Sequence, residues 1–264
     1  MNELALFAGA GGGILGGHLL GWRTVCAVEW EAYPASILCA RQNDRILPSF
    51  PIWDDVQTFD GKPWREIVDV VSGGFPCQDI SSAGKGEGIN GKRSGMWTHM
   101  ARIIGEIRPK FVFVENSPLL TRRGLGKVLG DLASLGFDAE WGVLSASAVG
   151  ANHKRERIWI CAKRTDIFSY PMHNWSKWGK QQPQSIKEKN GTMANTFEFG
   201  TQRQSKNSRE SSEWIDSASW WEIEPNVGRV ANGVAAGMDR LKSIGNGQVP
   251  LCAATAWRLL NERI

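Results

Sequence analysis

The chain has 264 residues, 42% of them hydrophobic, and a net charge of +4 at neutral pH. This length suits one large α/β domain with a small appendage or two modest domains, and the hydrophobic share excludes wholesale disorder. The mild basicity is compatible with a polyanionic partner but does not establish one.

The five cysteines are scattered and form no CxxC pair, which argues against a zinc ribbon or a disulfide scaffold. Reduced thiols of a cytoplasmic protein are the simple interpretation, and Cys39 is expected in the core with Cys26, Cys161 and Cys252. The first residues lack the pattern of a signal peptide, and no apolar stretch approaches the length of a membrane span. No metal site is expected.

Short apolar runs alternate along the chain with segments of helical spacing. Strands are predicted at residues 4–7, 24–28, 68–72, 111–114 and 157–162. Helices are predicted near residues 14–20, 32–43, 96–107, 126–135 and 250–260. Alternation of this kind predicts an α/β fold with a mostly parallel sheet and helices on both faces.

A glycine loop, Phe7-Ala8-Gly9-Ala10-Gly11-Gly12-Gly13, follows the first predicted strand. Such a loop lets a ligand lie against bare backbone near a helix N-terminus. The second predicted strand ends in Glu29-Trp30, where an acid can accept ribose hydroxyl groups and an indole can stack on adenine. Both nicotinamide dinucleotides and S-adenosylmethionine carry an adenosine, so these residues leave the two cofactors open.

Two further clusters follow predicted strands, and a third leads into one. Pro76-Cys77 places a thiol after residues 68–72, and Glu115-Asn116 follows residues 111–114. An acid after a wholly apolar strand is costly to bury without a partner. Arg155 and Arg157 lead into the last predicted strand at a spacing that directs both side chains to one face. Taken singly, Glu115 is a solvated acid at a strand end and the arginines are a charged strand edge. A lone cysteine is a candidate nucleophile only if partners converge on it.

In this order, the clusters resemble the motifs of the cytosine-5 DNA methyltransferase family of bacteria and phages. The glycine loop is similar to the family's S-adenosylmethionine loop, and Phe75-Pro76-Cys77-Gln78 resembles its nucleophile loop. Glu115-Asn116 and His153-x-Arg155-x-Arg157 are similar to its Glu-Asn-Val and Gln-x-Arg-x-Arg motifs. Gly245-Asn246-Gly247-Gln248-Val249 resembles its Gly-Asn-Ser-Val motif.

The resemblance implies a Rossmann-like methyltransferase fold that binds S-adenosylmethionine, with S-adenosylhomocysteine as the product. The implied cofactor-binding residues are Phe7, Gly9, Gly11, Gly12, Glu29, Trp30, Asp54, Pro76 and Asn246. Cys77 would add to carbon 6 of a flipped cytosine, Glu115 would hold and protonate the ring, and Arg155 and Arg157 would steady it. The implied substrate-binding residues near the nucleophile are Gln78, Ser81 and Asn116, with a mobile lid over residues 79–94.

The resemblance also implies a catalytic and cofactor-binding domain at 1–163, a small irregular target recognition region at 164–224 and a return to the catalytic domain at 225–264. Within the recognition region, Gln202, Arg203 and Gln204 belong to the densest cluster of side chains suited to reading base edges. The expected partner is double-stranded DNA, and a separate restriction endonuclease would complete a restriction-modification system. A monomer suffices to flip one base.

Three alternatives stay open from the sequence. The first is a cytosine-5 methyltransferase of the same fold that acts on tRNA. The second is a catalytically silent module that binds DNA or S-adenosylmethionine, although Cys77 and Glu115 together argue against it. The third is a nicotinamide-dependent oxidoreductase, which depends on the glycine loop alone and explains neither strand-end cluster.

Overall fold

The computed structural model describes residues 1–76, 95–165, 239, 242–243 and 245–264. The chain divides into two units, of which the first comprises Met1–Phe197 with Gly247–Ile264 and the second Glu198–Asn246. All the helices and strands named below belong to the first unit. The predicted recognition region at 164–224 lies outside the described residues except at its first two positions, so its boundaries stay predictions.

A single seven-stranded sheet runs through the described part of the chain, in the order β3-β2-β1-β4-β5-β7-β6. The strands are β1 (Asn2–Leu6), β2 (Arg23–Val28), β3 (Ile52–Trp53), β4 (Val70–Gly73), β5 (Phe111–Asn116), β6 (Phe137–Ser145) and β7 (Glu156–Arg164). Strand β7 runs antiparallel to both its neighbours, β5 and β6, and every other pairing is parallel. Six strands therefore point the same way.

Helices cover both faces of the sheet. They are α1 (Gly12–Leu19), α2 (Ala32–Asn43), α3 (Met96–Ile107), α4 (Leu120–Arg123), α5 (Leu125–Ser134) and α6 (Pro250–Asn261), with short 3-10 turns at Lys62–Trp64 and Ala146–Val149. Helices α3 and α5 pack on one face against the apolar side chains of the central strands. Helices α1, α2 and α6 pack on the opposite face. The apolar stripe of α3, at Met100, Ile103, Ile104 and Ile107, is fully buried.

The predicted α/β fold with a mostly parallel sheet is confirmed. The helices predicted at 32–43 and 96–107 have the observed bounds at both ends. The first strand ends one residue earlier than predicted, because the backbone turns left-handed at Phe7, with a φ of 53°. Strands β3 and β6 were not predicted. Strand β3 has only two residues, and the alternating apolar side chains of β6, at Phe137, Ala139, Trp141 and Val143, were overlooked.

One correction concerns the cysteines. Cys26, Cys161 and Cys252 are buried as predicted, but Cys39 is exposed. Helix α2 covers the sheet near its β3 edge and buries only Pro34 and Leu38. Cys39, the next residue along the helix, therefore faces solvent.

The sheet topology brings several loops to one edge. Strands β1, β2, β4 and β5 are parallel, so their carboxyl ends share that edge, and the reversed direction of β7 places its first residues there too. Ligands in open α/β sheets bind at this edge. Within the described ranges, no helix is long and apolar enough to cross a membrane, and no group of three or more histidine, cysteine or acidic side chains is arranged to hold a metal ion.

Candidate functional site

The glycine loop between β1 and α1 is held in place by the carboxylate of Glu29. The Gly9 N–H donates to Oε2 of Glu29 at 2.6 Å, and the Glu31 N–H donates to Oε1 at 2.7 Å. Gly9 and Gly11 adopt φ values of 55° and 86°, in the left-handed region that glycine tolerates best. Space for a ligand is open beside Gly9, where a Cβ atom would meet nothing within 4 Å, shortly before α1 begins at Gly12.

Three predicted cofactor residues meet beside this loop. Trp30 follows Glu29 directly and leaves 72% of its surface exposed, which is unusual for an indole. The Glu29 N–H donates to the carbonyl oxygen of Trp53 at 2.9 Å, so Asp54 begins the loop next to Glu29. A carboxylate beside an open aromatic face fits an adenosine, whose ribose donates hydrogen bonds and whose base stacks. The residues present therefore fit an adenosine-bearing cofactor.

Glu115 lies near the end of β5 and is buried, with 9% of its surface exposed. Its Oε1 accepts from Nε of Arg157 at 2.8 Å, and its Oε2 accepts from Nε2 of Gln248 at 3.4 Å. Burial raises the pKa of Glu115 above its ordinary value, while the charges of Arg157 and Arg155 act in the opposite direction. A buried carboxyl with a raised pKa keeps its proton to higher pH than a solvated one, which suits it to act as a proton donor.

Arg155 reaches the same site by a route that the spacing did not predict. Strand β7 begins at Glu156, and Arg155 precedes it with a φ of 28°, so its side chain does not follow the strand alternation. Its Nη2 donates to the carbonyl oxygen of Gly247 at 2.5 Å. The two arginines nonetheless both bring positive charge close to Glu115.

Asn116 fixes the backbone that leads towards the predicted nucleophile. Its amide nitrogen donates to the carbonyl oxygen of Phe75 at 3.1 Å, and its Oδ1 accepts from the Ser117 N–H at 2.8 Å. The side chain is buried, with 2% of its surface exposed. This geometry makes Asn116 a support for the Phe75-Pro76 loop, and its predicted contact with substrate stays a prediction.

Several predicted site residues lie outside the described residues. These are Cys77, Gln78, Ser81, the remainder of the predicted lid at 79–94, and Gln202, Arg203 and Gln204. Asn246 is described but belongs to the second unit, so its predicted cofactor role stays a prediction. The structure thus brings together the cofactor loop, Glu29, Trp30, Asp54, Pro76, Glu115, Arg155 and Arg157 at one edge of the sheet.

Gln248 contacts Glu115, and no role was predicted for it from the sequence. The sequence did contain a clue. Gln248 belongs to the predicted Gly-Asn-Ser-Val-like motif at 245–249, and its amide side chain comes just before the apolar start of α6. An amide in that position suggests a hydrogen-bonding partner inside the fold.

The two cysteine thiols within the sheet, at Cys26 and Cys161, are unreactive at neutral pH. Burial raises the pKa of Cys26 to about 11 and that of Cys161 to about 12. At neutral pH these side chains are thiols, and the thiolate is the nucleophilic form. They therefore act as small core residues.

Comparison with known proteins identifies the family. The family model for C-5 cytosine-specific DNA methylases matches residues 1–251. The chain therefore belongs to the C-5 cytosine-specific DNA methylase family, as the motifs predicted.

Two curated relatives show how much of this family the chain spans. It is 35% identical to the type II methyltransferase M.Eco47II of Escherichia coli over 181 residues, which are 65% of this chain and 42% of that protein. It is 36% identical to M.CviJI of Paramecium bursaria Chlorella virus IL3A over 111 residues, which are 42% of this chain and 30% of that protein. The chain thus spans less than half the length of these relatives.

A solved structure supports the fold alone. The Entamoeba histolytica methyltransferase EhMeth superposes with a TM-score of 0.53 at 18% identity, covering 72% of this chain and 57% of that one. The match agrees with the predicted Rossmann-like methyltransferase fold.

Proposed function

We propose that this protein transfers a methyl group from S-adenosylmethionine to carbon 5 of cytosine in double-stranded DNA. The observation that carries the proposal is the Glu115–Arg157 pair, in which a buried carboxyl is held 2.8 Å from a guanidinium at the sheet edge where the Pro76 loop emerges. A protonated carboxyl at that position can donate a hydrogen bond to ring nitrogen 3 of a cytosine and accept one from its exocyclic amino group. Membership of the cytosine-specific family supports the choice of base.

The cofactor would be held by the described glycine loop and its neighbours. S-adenosylmethionine supplies the electrophilic methyl group when it is bound. Glu29 would accept hydrogen bonds from the ribose hydroxyl groups, Trp30 would stack on the adenine, and Asp54 would accept from the adenine amino group. The bare backbone from Gly9 to Gly12 would let the cofactor approach the start of α1.

The protein's own groups would activate the cytosine. The thiolate of Cys77 would form a bond to carbon 6, and the electron pair of the carbon 5–carbon 6 double bond would move towards carbon 5 and the ring nitrogen 3. Glu115 would donate its proton to nitrogen 3 as negative charge develops there. After methylation, water would take the carbon 5 proton, and the electron pair of that carbon–hydrogen bond would restore the carbon 5–carbon 6 double bond as the Cys77 thiolate leaves. Nitrogen 3 would return its proton to the Glu115 carboxylate.

The arginines would serve two purposes in this scheme. Arg157 stabilises the carboxylate that Glu115 becomes after it has given up its proton. Positive charge from Arg155 and Arg157 also favours the thiolate form of a nearby cysteine, whose ordinary pKa of about 8.5 would otherwise leave it mostly protonated.

Access to carbon 6 requires that the cytosine leave the duplex, which costs a few kcal/mol. Residues 79–94 would close over the flipped base, and Gln202, Arg203 and Gln204 would read base edges in the recognition region. We place the protein in the cytoplasm as a monomer, with a restriction endonuclease acting separately on the same sequence.

Transfer of labelled methyl from S-adenosylmethionine to unmethylated duplex DNA tests the proposal, with tRNA assayed in parallel. Cys77→Ala and Glu115→Gln should each abolish transfer, while Cys39→Ala, which removes an exposed thiol of α2, should not. Duplexes containing 5-fluorocytosine should trap a covalent adduct with the wild-type protein and with Cys39→Ala but not with Cys77→Ala.

Other outcomes of the methyl-transfer assay would point to a different function. Label on tRNA but not on DNA would make RNA the substrate. Absence of label on both, with S-adenosylmethionine still bound, would refute the catalytic proposal and leave a binding module.

A further inference from the structure

Gln248 lies between the cofactor side and the base side of the site. Its amide nitrogen is 3.4 Å from Oε2 of Glu115. Its amide oxygen lies against the backbone of Gly13, and its carbonyl oxygen lies against that of Gly12, so closely that a Cβ atom at either position would collide with it. One side chain thus spans from the first turn of α1 to the buried carboxyl of β5.

The space around this contact is restricted on the β4 side as well. A Cβ atom placed on Gly74 would come within 2.6 Å of Oε2 of Glu115 and 3.0 Å of Nε2 of Gln248. The amide and the carboxyl therefore meet over the bare backbone where β4 ends. The Gln248 side chain lies between Gly13 and Gly74 while its backbone lies against Gly12, so few rotamers are available to it.

The polarity of the amide matches its surroundings. Its oxygen is directed at the first turn of α1, where unpaired N–H groups give the helix a positive end. Its nitrogen is directed at the carboxyl of Glu115, whose other oxygen is already bound by Arg157. Each oxygen of Glu115 thus has its own donor, and together the two donors fix the plane of the carboxyl group.

The backbone beside Gln248 is fixed from a second direction. Arg155 donates to the carbonyl oxygen of Gly247 at 2.5 Å, and α6 begins at Pro250, two residues further on. The backbone is therefore held both before and after Gln248. This restricts the movement of its amide group relative to the Glu115 carboxyl.

We propose that Gln248 is a positioning residue, whose amide holds the Glu115 carboxyl in the plane needed to meet the ring of the substrate base. This inference rests on the proposed function of Glu115. Gln248 does not touch the substrate in this scheme, and its effect on the reaction passes through Glu115.

The test compares wild-type protein with Gln248→Met, which keeps the length of the side chain but removes the amide. Loss of a hydrogen bond to a charged group should lower kcat for DNA methylation about tenfold. The KM values for DNA and S-adenosylmethionine should stay within about threefold, since neither the cofactor loop nor the recognition region is altered. Gln57→Met, a glutamine-to-methionine change at an exposed position, should match wild type.

A pH profile separates positioning from a general structural effect. In the described residues, the charged groups that face Glu115 are Arg157 and Arg155, and neither changes in the variant. Removal of the amide N–H takes away a donor to the carboxylate, so the pKa of Glu115 should rise. The alkaline limb of the kcat profile, where Glu115 loses the proton that it would donate, should therefore move to higher pH in Gln248→Met.

A measurement without turnover distinguishes failure of this inference from failure of the proposed function. In protein with carbon-13 at glutamate carboxyl groups, the Glu115 signal, assigned by its loss in Glu115→Gln, should titrate at higher pH in Gln248→Met. An unchanged titration together with an unchanged kcat would overturn the inference, as would a loss confined to KM or to the melting temperature. If the Glu115 titration shifts in Gln248→Met but the wild-type protein transfers no methyl group, the proposed function is overturned and the contact between Gln248 and Glu115 is not.

Discussion

Glu3 is a buried acid at the centre of the sheet, and replacing it with glutamine has a calculable effect on stability. Its side chain is 1% exposed, accepts from Thr24 Oγ1 at 2.7 Å and from Ser72 Oγ at 2.6 Å, and lies beneath Gly17 of α1. Burial raises the pKa of Glu3 from 4.5 to about 7, and the two hydroxyl donors offset part of that rise.

The sign of the effect follows from this direction. Because the folded protein holds the proton more tightly than the unfolded chain, stability falls as the pH rises from about 4.5 to about 7 and is constant above. A rise in pKa from 4.5 to about 7 corresponds to about 3 kcal/mol of lost stability at alkaline pH, of which about 2 kcal/mol lies between pH 5.5 and 8.5. Glu3→Gln has no proton to lose, so it avoids this loss.

Urea unfolding of both proteins, followed by tryptophan fluorescence across this pH range, measures the effect. The difference in unfolding free energy between Glu3→Gln and wild type should move in favour of the variant by about 2 kcal/mol from pH 5.5 to 8.5. Other titrating groups cancel in that difference. Parallel stability curves would show that Glu3 has the same proton affinity in both states and would refute the reasoning.

Three other predictions follow from the packing and exposure of single residues. Gly12→Ala should weaken S-adenosylmethionine binding and destabilise the protein by about 1–3 kcal/mol, because its Cβ atom would collide with Gln248. Gly130→Ala, in open space on α5, should instead stabilise the protein by up to about 1 kcal/mol. Equal unfolding free energies for the two variants would contradict this prediction. Trp30→Ala should leave the unfolding free energy within about 0.5 kcal/mol of wild type but weaken S-adenosylmethionine binding about tenfold by calorimetry, and an unchanged Kd would exclude stacking. Arg102→Met should cost about 2 kcal/mol in urea unfolding, since its guanidinium donates to the carbonyl oxygens of Val56 and Phe59; a loss below about 0.5 kcal/mol would show that these bonds are replaced by water.

The sequence predicted the parallel core of the fold well because those strands are short, apolar and bounded by glycine or by helical segments. The prediction missed the far edge of the sheet. Strand β6 does alternate, because Phe137, Ala139, Trp141 and Val143 pack against the core while Asp138, Glu140 and Gly142 stand between them. Two acids and a glycine lower the strand propensity of the segment, and its pairing with β7, which follows it in the chain, outweighs that propensity.

The site divides along a similar line. Glu29, Glu115 and Arg157 were predictable because each lies where a strand of the sheet ends or begins, and the topology brings those points together. Gln248 was not predictable, because its role depends on close approach to Gly12, Gly13 and Gly74, which are far from it in sequence. Arg155 was half predicted: its charge is near Glu115, but a left-handed backbone rather than strand alternation directs it there.

The packing of α6 against α1 has a consequence for the order in which the site is assembled during synthesis. The cofactor loop and α1 precede most strands of the sheet in the chain, whereas Gln248 and α6, which contact them, follow every strand. A nascent chain therefore carries the glycine loop without this partner until Gln248, 235 residues beyond Gly13, has been made. The contact between Gln248 and Glu115 is thus absent from any chain that stops before Gln248, even when the whole sheet has been synthesised.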